Sequence, residues 1–78
     1  MIKPNKIQAY RESAGVTQWD VAAGAQIERS RISLIECGHV QPTPAELTAI
    51  EKVLARALAT RLEQLMANRE EIGAGDRA

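Results

Sequence analysis

Aromatic side chains are nearly missing from this chain, with one Trp, one Tyr and no Phe in 78 residues. Any core must therefore be built from aliphatic residues. Cysteine is almost absent as well: Cys37 stands alone, so an internal disulfide is excluded and a reducing, cytoplasmic compartment is expected. With a single His beside it, no Cys/His cluster can hold a structural zinc. No apolar run approaches the roughly 18–20 residues of a membrane span, and no signal-peptide pattern opens the chain. Net charge is missing too, because ten basic and ten acidic residues cancel. No activated nucleophile, metal set or phosphate loop stands out, so no catalytic residue, metal or cofactor is expected and an enzyme is improbable.

What is present is a high apolar content. Hydrophobic residues make up 45% of the chain, too many for a disordered segment. The length suits one small domain with a thin core, a size that often leans on oligomerisation for stability. Ala, Glu, Leu, Arg and Gln dominate, and alternating strand patterns do not occur, so helix is expected throughout.

Punctuation divides the chain. Pro4 suits a first helical turn and Gly15 a stop, which predicts a helix over Pro4–Ala14 with Ile7, Tyr10 and Ala14 on one face. Thr17 reads as the N-cap of a short helix from Gln18 to about Ala25, with Val21, Ala22 and Ala25 inward. A tight connection leads to a third short helix, Arg29–Cys37, with Ile32 and Ile35 inward and Gly38 ending it. Thr43-Pro44-Ala45-Glu46 is a strong start, with a cap, a proline at the first helical position and a capping-box Glu. From there to about Ile72 neither Gly nor Pro intervenes. Leu47, Ile50, Val53 and Leu54 form one apolar stripe, and Leu58, Leu62, Leu65 and Ile72 continue it. A second possible capping box, Thr60 to Glu63, leaves open a break near Ala59. Residues 73–78, with Gly73 and Gly75, read as a frayed, disordered tail.

Residues 18–38 carry the function. Two short helices joined by a tight turn make a helix-turn-helix, which needs a small residue where the helices cross and apolar residues beneath. Ala22 supplies the first; Val21, Ile27, Ile32 and Ile35 supply the second, with Ala25 as a smaller filler. The chain reads Tyr10-Arg11, Gly15-Val16-Thr17-Gln18, Val21-Ala22, Gln26-Ile27 and Ile32-Ser33-Leu34-Ile35-Glu36-Cys37-Gly38. In this it resembles the Cro and phage-repressor type of helix-turn-helix domain, the xenobiotic-response-element family, over about residues 5–54 and without gaps. Two positions depart from the family pattern. Gln26 stands where the turn usually has Gly; a left-handed conformation there would cost roughly a kcal/mol, which suggests a reshaped turn. Glu28 stands where Ser or Thr usually opens the third helix.

The resemblance implies an all-α, compact helix-turn-helix bundle of four to five helices with a long C-terminal helix. It implies a DNA-binding domain, expected over residues 1–56; the leucine stripe beyond it adds a C-terminal helical extension over 57–72, expected to dimerise. Residues 29–37 would enter the major groove of double-stranded DNA. Arg29, Ser30 and Ser33 are then the candidate base readers, with Glu28 and Leu34 as possible additional ones, and Arg29 is suited to bidentate contact with guanine. Gln18 and Thr17, at a helix N-terminus, are candidates for phosphate contact, as are Lys6, Arg31 and His39. Arg11 and Glu36 match a pair that forms a structural salt bridge in relatives.

Plainer roles stand beside these. Arg29 and Arg31 could be an ordinary solvated face, and the two serines could serve only close approach. Trp19, usually polar in relatives, is expected to cover the core from outside; a protein or DNA-backbone contact is the alternative. Tyr10 is expected in the core with its hydroxyl at the surface, and Cys37 as a buried or half-exposed inert thiol. Leu58, Leu62, Leu65 and Met66 are either core or a homodimer seam, and the seam is favoured because a projecting helix must bury its leucines somewhere.

The resulting expectation is a repressor or autoregulator of a phage or mobile element, binding an inverted repeat as a homodimer. The rivals are an antitoxin or antiactivator that acts through a regulatory protein partner, and an adaptor that has lost DNA binding. Zero net charge does not decide against DNA. Residues 1–40 hold five basic and four acidic residues, whereas residues 41–78 hold five and six. With Arg11 paired to Glu36, Lys3, Lys6, Arg29 and Arg31 would be opposed mainly by Glu28. Few phosphate contacts and a shallow salt dependence follow.

Overall fold

A computed structural model describes the backbone of residues 3–76 and the side chains of residues 3–68. A 3-10 turn, Pro4–Lys6, leads into α1 (Ile7–Ala14), α2 (Gln18–Ala25), α3 (Arg29–Glu36) and α4 (Pro44–Asp76). There is no strand among the described residues, and the architecture is the expected all-α bundle with a long last helix.

Each boundary has a local cause. The predicted first helix is split, because Pro4 fits the tight turn and the α-helix begins only at Ile7. Gly15 ends α1 at φ 74° and lies under the Arg61 side chain from α4, so a side chain there would meet both left-handed strain and a neighbour. Thr17 opens α2 with a reciprocal capping box: the Asp20 N–H donates to Thr17 Oγ1 at 3.1 Å, and the Thr17 N–H donates to Asp20 Oδ2 at 2.8 Å. The Thr17 donors hold the Asp20 carboxyl below its usual range. Thr43 and Glu46 repeat the device at α4, at 3.1 and 2.9 Å.

The core is wholly aliphatic. Ile7, Ala14, Val21, Ala22, Ile32, Ile35, Leu47, Ile50 and Leu54 are its buried members, drawn from all four helices. Val16, Ala25, Ile27, Val40 and Val53 pack partly buried around it. The N-terminal part of α4 lies across α1 and α2, and α2 packs on α3, so α4 braces the helix-turn-helix from behind.

Three expectations need correction. Tyr10 is 44% exposed rather than in the core. With α1 only two turns long, Ile7 and Ala14 fill its inward face, and Tyr10 stands about 50° off their line. Gln26 is left-handed (φ 58°, ψ 45°), so the turn keeps the geometry that Gly usually supplies instead of being reshaped. Gly24, which might have taken over the turn, is helical instead. A Cβ there would lie 2.8 Å from Val53 Cγ2, so its smallness admits α4 against α2. Cys37 is exposed at the end of α3 rather than buried or half-exposed.

α4 runs unbroken past Ala59, and the molecule is 54 Å long but only 21 Å across. Its buried residues stop at Leu54. Beyond it Leu58 is 39% exposed, Leu62 and Leu65 are 58% and Met66 is 57%. Ile72 and the expected tail, 73–78, fall where side chains are not described, and the helix assignment runs to Asp76.

Candidate nucleic-acid interface

Ile32 and Ile35 fix the orientation of α3. Both are buried, at 0% and 1% exposure, and pin one side of the helix to the core. By the helical period, Ser30, Ser33, Leu34 and Cys37 then turn to the opposite side. Ser30, Leu34 and Cys37 are exposed there and Ser33 half-buried, while Glu28 is exposed at the N-cap with no side-chain capping bond. Arg29, the first helical residue, sits on the flank that faces α2. Among the other sequence candidates, Lys6 is exposed at the end of the 3-10 turn that packs on α3. His39 is exposed beyond α3, its backbone N–H donating to the Leu34 carbonyl at 2.9 Å.

A connected polar network ties this surface to the interior. Arg11 Nε donates to Glu36 Oε2 at 2.8 Å and Arg11 Nη2 to Glu36 Oε1 at 3.2 Å, joining α1 to α3. The two side chains are only 13% and 3% exposed, so each needs the other. Arg11 Nη1 also donates to the Val16 carbonyl at 3.1 Å. Gln18 Nε2 donates to the same Glu36 Oε1 at 3.0 Å, and Gln18 Oε1 accepts from Arg29 Nη1 at 3.2 Å. The Arg29 guanidinium in turn lies over the Trp19 ring, with Cζ 4.7 Å from the ring centroid. Trp19 is thus 69% exposed and covers Arg29, not the core.

Sequence reasoning found the Arg11–Glu36 pair, Gln18 and Arg29, but not the links from Glu36 through Gln18 to Arg29 and Trp19. It also placed Arg31 on the phosphates; in the structure its guanidinium is paired with Glu46. Arg31 Nη2 donates to Glu46 Oε1 at 2.8 Å and Nε to the other carboxylate oxygen, tying α3 to the start of α4. Glu46 is available because the capping box already fixes it at the third position of α4. The Arg31 bonds and the Thr43 N–H together lower the Glu46 pKa from 4.5 to about 2. The Gln18 amide, expected at a phosphate, is likewise occupied by Glu36 and Arg29. What the start of α2 still offers is its first backbone N–H groups.

A family model described as helix-turn-helix matches residues 7–63. The chain belongs to the Cro and phage-repressor type of helix-turn-helix domain. This is a family of DNA-binding transcription regulators, and the chain is a DNA-binding protein of that kind. No curated protein and no solved structure matches the chain. The helix-turn-helix is α2, the Gln26 turn and α3, and it is completed by α1 and braced by α4. Among the described residues, no helix is long and apolar enough to cross a membrane, and no group of His, Cys, Asp and Glu is placed to hold a metal.

One further concavity lies away from this face. A groove of about 720 Å³ runs between α4 and the C-terminal ends of α1 and α2, lined by Gly15, Gln26, Val53, Ala57 and Arg61 among others. It opens at the end of α2 remote from Gln18.

Proposed function

We propose that the chain is a sequence-specific, cytoplasmic transcriptional regulator that reads an inverted-repeat operator as a homodimer. In this reading α3 of each protomer enters the major groove of one half-site. Arg29, Ser30 and Ser33 meet base edges, flanked by Glu28 and Leu34. Thr17 and the backbone N–H of Gln18, with Lys6 and His39, meet phosphates. The observation that carries the reading is the division of α3 into a pinned side, Ile32 and Ile35, and an outward side of Ser30, Ser33, Leu34 and Cys37 bordered by a held Arg29.

The dimer part rests on the exposed Leu58, Leu62, Leu65 and Met66. Four large apolar side chains on one projecting segment favour a partner surface over open water. A repressor or autoregulator of a phage or other mobile element is the role most in keeping with the family. The same stripe also supports a second reading, an antitoxin or antiactivator that meets a different protein there. A stable dimer of the purified chain favours the first reading over the second.

Two of the five cations in residues 1–40 are committed to carboxylates within the protomer, Arg11 to Glu36 and Arg31 to Glu46. Phosphate contacts are therefore few. Since the salt slope is about −0.9 per phosphate neutralised, it is shallow for each protomer.

Enrichment from a random-sequence duplex library tests the reading. A single motif with two-fold symmetry is expected. Arg29→Ala should weaken binding to the enriched duplex by about 1–3 kcal/mol while leaving a shuffled duplex nearly unaffected. No enrichment at all, or equal losses on both duplexes, would contradict it.

A further inference from the structure

We propose that Trp19 is a positioning residue for base reading, its indole face holding the Arg29 guanidinium in the orientation that reads a base. The inference rests on the assignment of Arg29 to base contact and extends it to a residue with no other evident role. Trp19 belongs neither to the core nor to its partly buried shell. Its neighbour is a cation whose centre lies 4.7 Å from the ring centroid, within the range of a cation–π contact.

Stacking and base reading use different parts of the same group. A guanidinium is planar with five N–H donors, all in its plane. The ring of Trp19 meets the flat face and consumes none of them. Gln18 takes one, at Nη1, and is itself held by Glu36. Four donors remain, enough for a paired contact to O6 and N7 of guanine. A free arginine would have to give up its rotamer freedom on binding; this one is ordered in advance by a stack on one face and a hydrogen bond at one edge. Trp19 comes from the second position of α2 and Arg29 from the first of α3, so the stack spans the two helices of the motif. The interhelix geometry is therefore translated directly into the aim of the arginine.

Trp19 is the sole tryptophan, so its fluorescence reports the stack without DNA. In the free protein, Arg29→Ala should change the emission intensity and raise quenching by acrylamide. On the enriched duplex, Trp19→Ala should lower the ratio of specific to shuffled binding about three- to ten-fold. Trp19→Phe, which keeps an aromatic face, should restore most of it. In an Arg29→Ala background, Trp19→Ala should have no further effect on the ratio. Circular dichroism should show all variants folded, since neither side chain is in the core.

Unchanged emission in Arg29→Ala would overturn the proposal, as would a ratio unaffected by Trp19→Ala or reduced equally in the Arg29→Ala background. In these cases the reading by Arg29 can still stand. If Arg29→Ala itself leaves the ratio unchanged, base reading by Arg29 is wrong and the role of Trp19 falls with it. The altered emission would then show that the stack exists but reads nothing.

Discussion

The two halves of α4 are built from similar residues and meet opposite surroundings. Over residues 44–54, Leu47, Ile50 and Leu54 are buried and Glu46 is bonded to Thr43 and Arg31. Over residues 58–66, Leu58, Leu62, Leu65 and Met66 face solvent. Helical propensity is alike in the two segments, so it cannot explain the difference. The first half has α1 and α2 to pack on, and the leucines of the second lie beyond them. The helix-turn-helix has its own buried core, whereas the second half of α4 leaves Leu58, Leu62, Leu65 and Met66 exposed, the surface on which the proposed homodimer rests.

Truncations separate the halves most strongly. Ile50→Ala should cost about 2–5 kcal/mol in urea unfolding, a large share of the stability of so small a domain. Leu62→Ala, measured at concentrations where the protein is monomeric, should cost about 0.5 kcal/mol or less. Comparable losses would mean that the second half of α4 is packed on its own protomer. Gly24→Ala tests the brace. Helix propensity gains about 1 kcal/mol, but crowding against the stiff Val53 costs about 1–3, so a net loss near 1 kcal/mol is expected. Adding Val53→Ala should remove the crowding part of that loss, which a double-mutant cycle would reveal.

The link between α3 and α4 gives a smaller, pH-dependent effect. Because the Glu46 carboxyl is held at about 2 against an ordinary 4.5, its contribution is fully present above pH 4.5 and is lost as pH falls towards 2. Thermal melts of Glu46→Gln should show a weaker decline over that window than the wild type does. A decline of equal steepness would assign the acid sensitivity to other groups. The smallest effect expected is at the turn. Gln26→Gly removes a left-handed strain of about 1 kcal/mol and adds chain entropy to the unfolded state, for a net gain of about 0.5 kcal/mol.

Much of this was legible in the sequence because it is local. Thr17, Thr43, Pro44 and Gly15 announce their boundaries through backbone chemistry that needs no distant partner. The inward positions of α2 and α3 follow from spacing, and the Arg11–Glu36 pair from the family pattern. What escaped depends on tertiary placement. Glu46 was readable as a cap but not as the partner of Arg31, 15 residues away. Tyr10 fits the apolar spacing of α1, yet a two-turn helix has room inward only for Ile7 and Ala14. Gln26 tolerates a conformation that sequence reasoning assigns to Gly, since the surrounding helices fix the turn. Trp19 stood out as an unusual residue for its position, but its partner became visible only once α2 and α3 were placed together.

In the proposed assembly, two helix-turn-helix heads are paired through the exposed half of α4. Hydroxyl-radical footprinting on the enriched duplex, with wild type and Leu62→Asp side by side, tests it most directly. The wild type should protect two patches on one face of the duplex, with centres about 34–36 Å apart. Leu62→Asp, still folded, should need far higher concentrations and lose the joint protection of the two patches. A single asymmetric patch for the wild type, or an unchanged footprint for Leu62→Asp, would contradict that pairing.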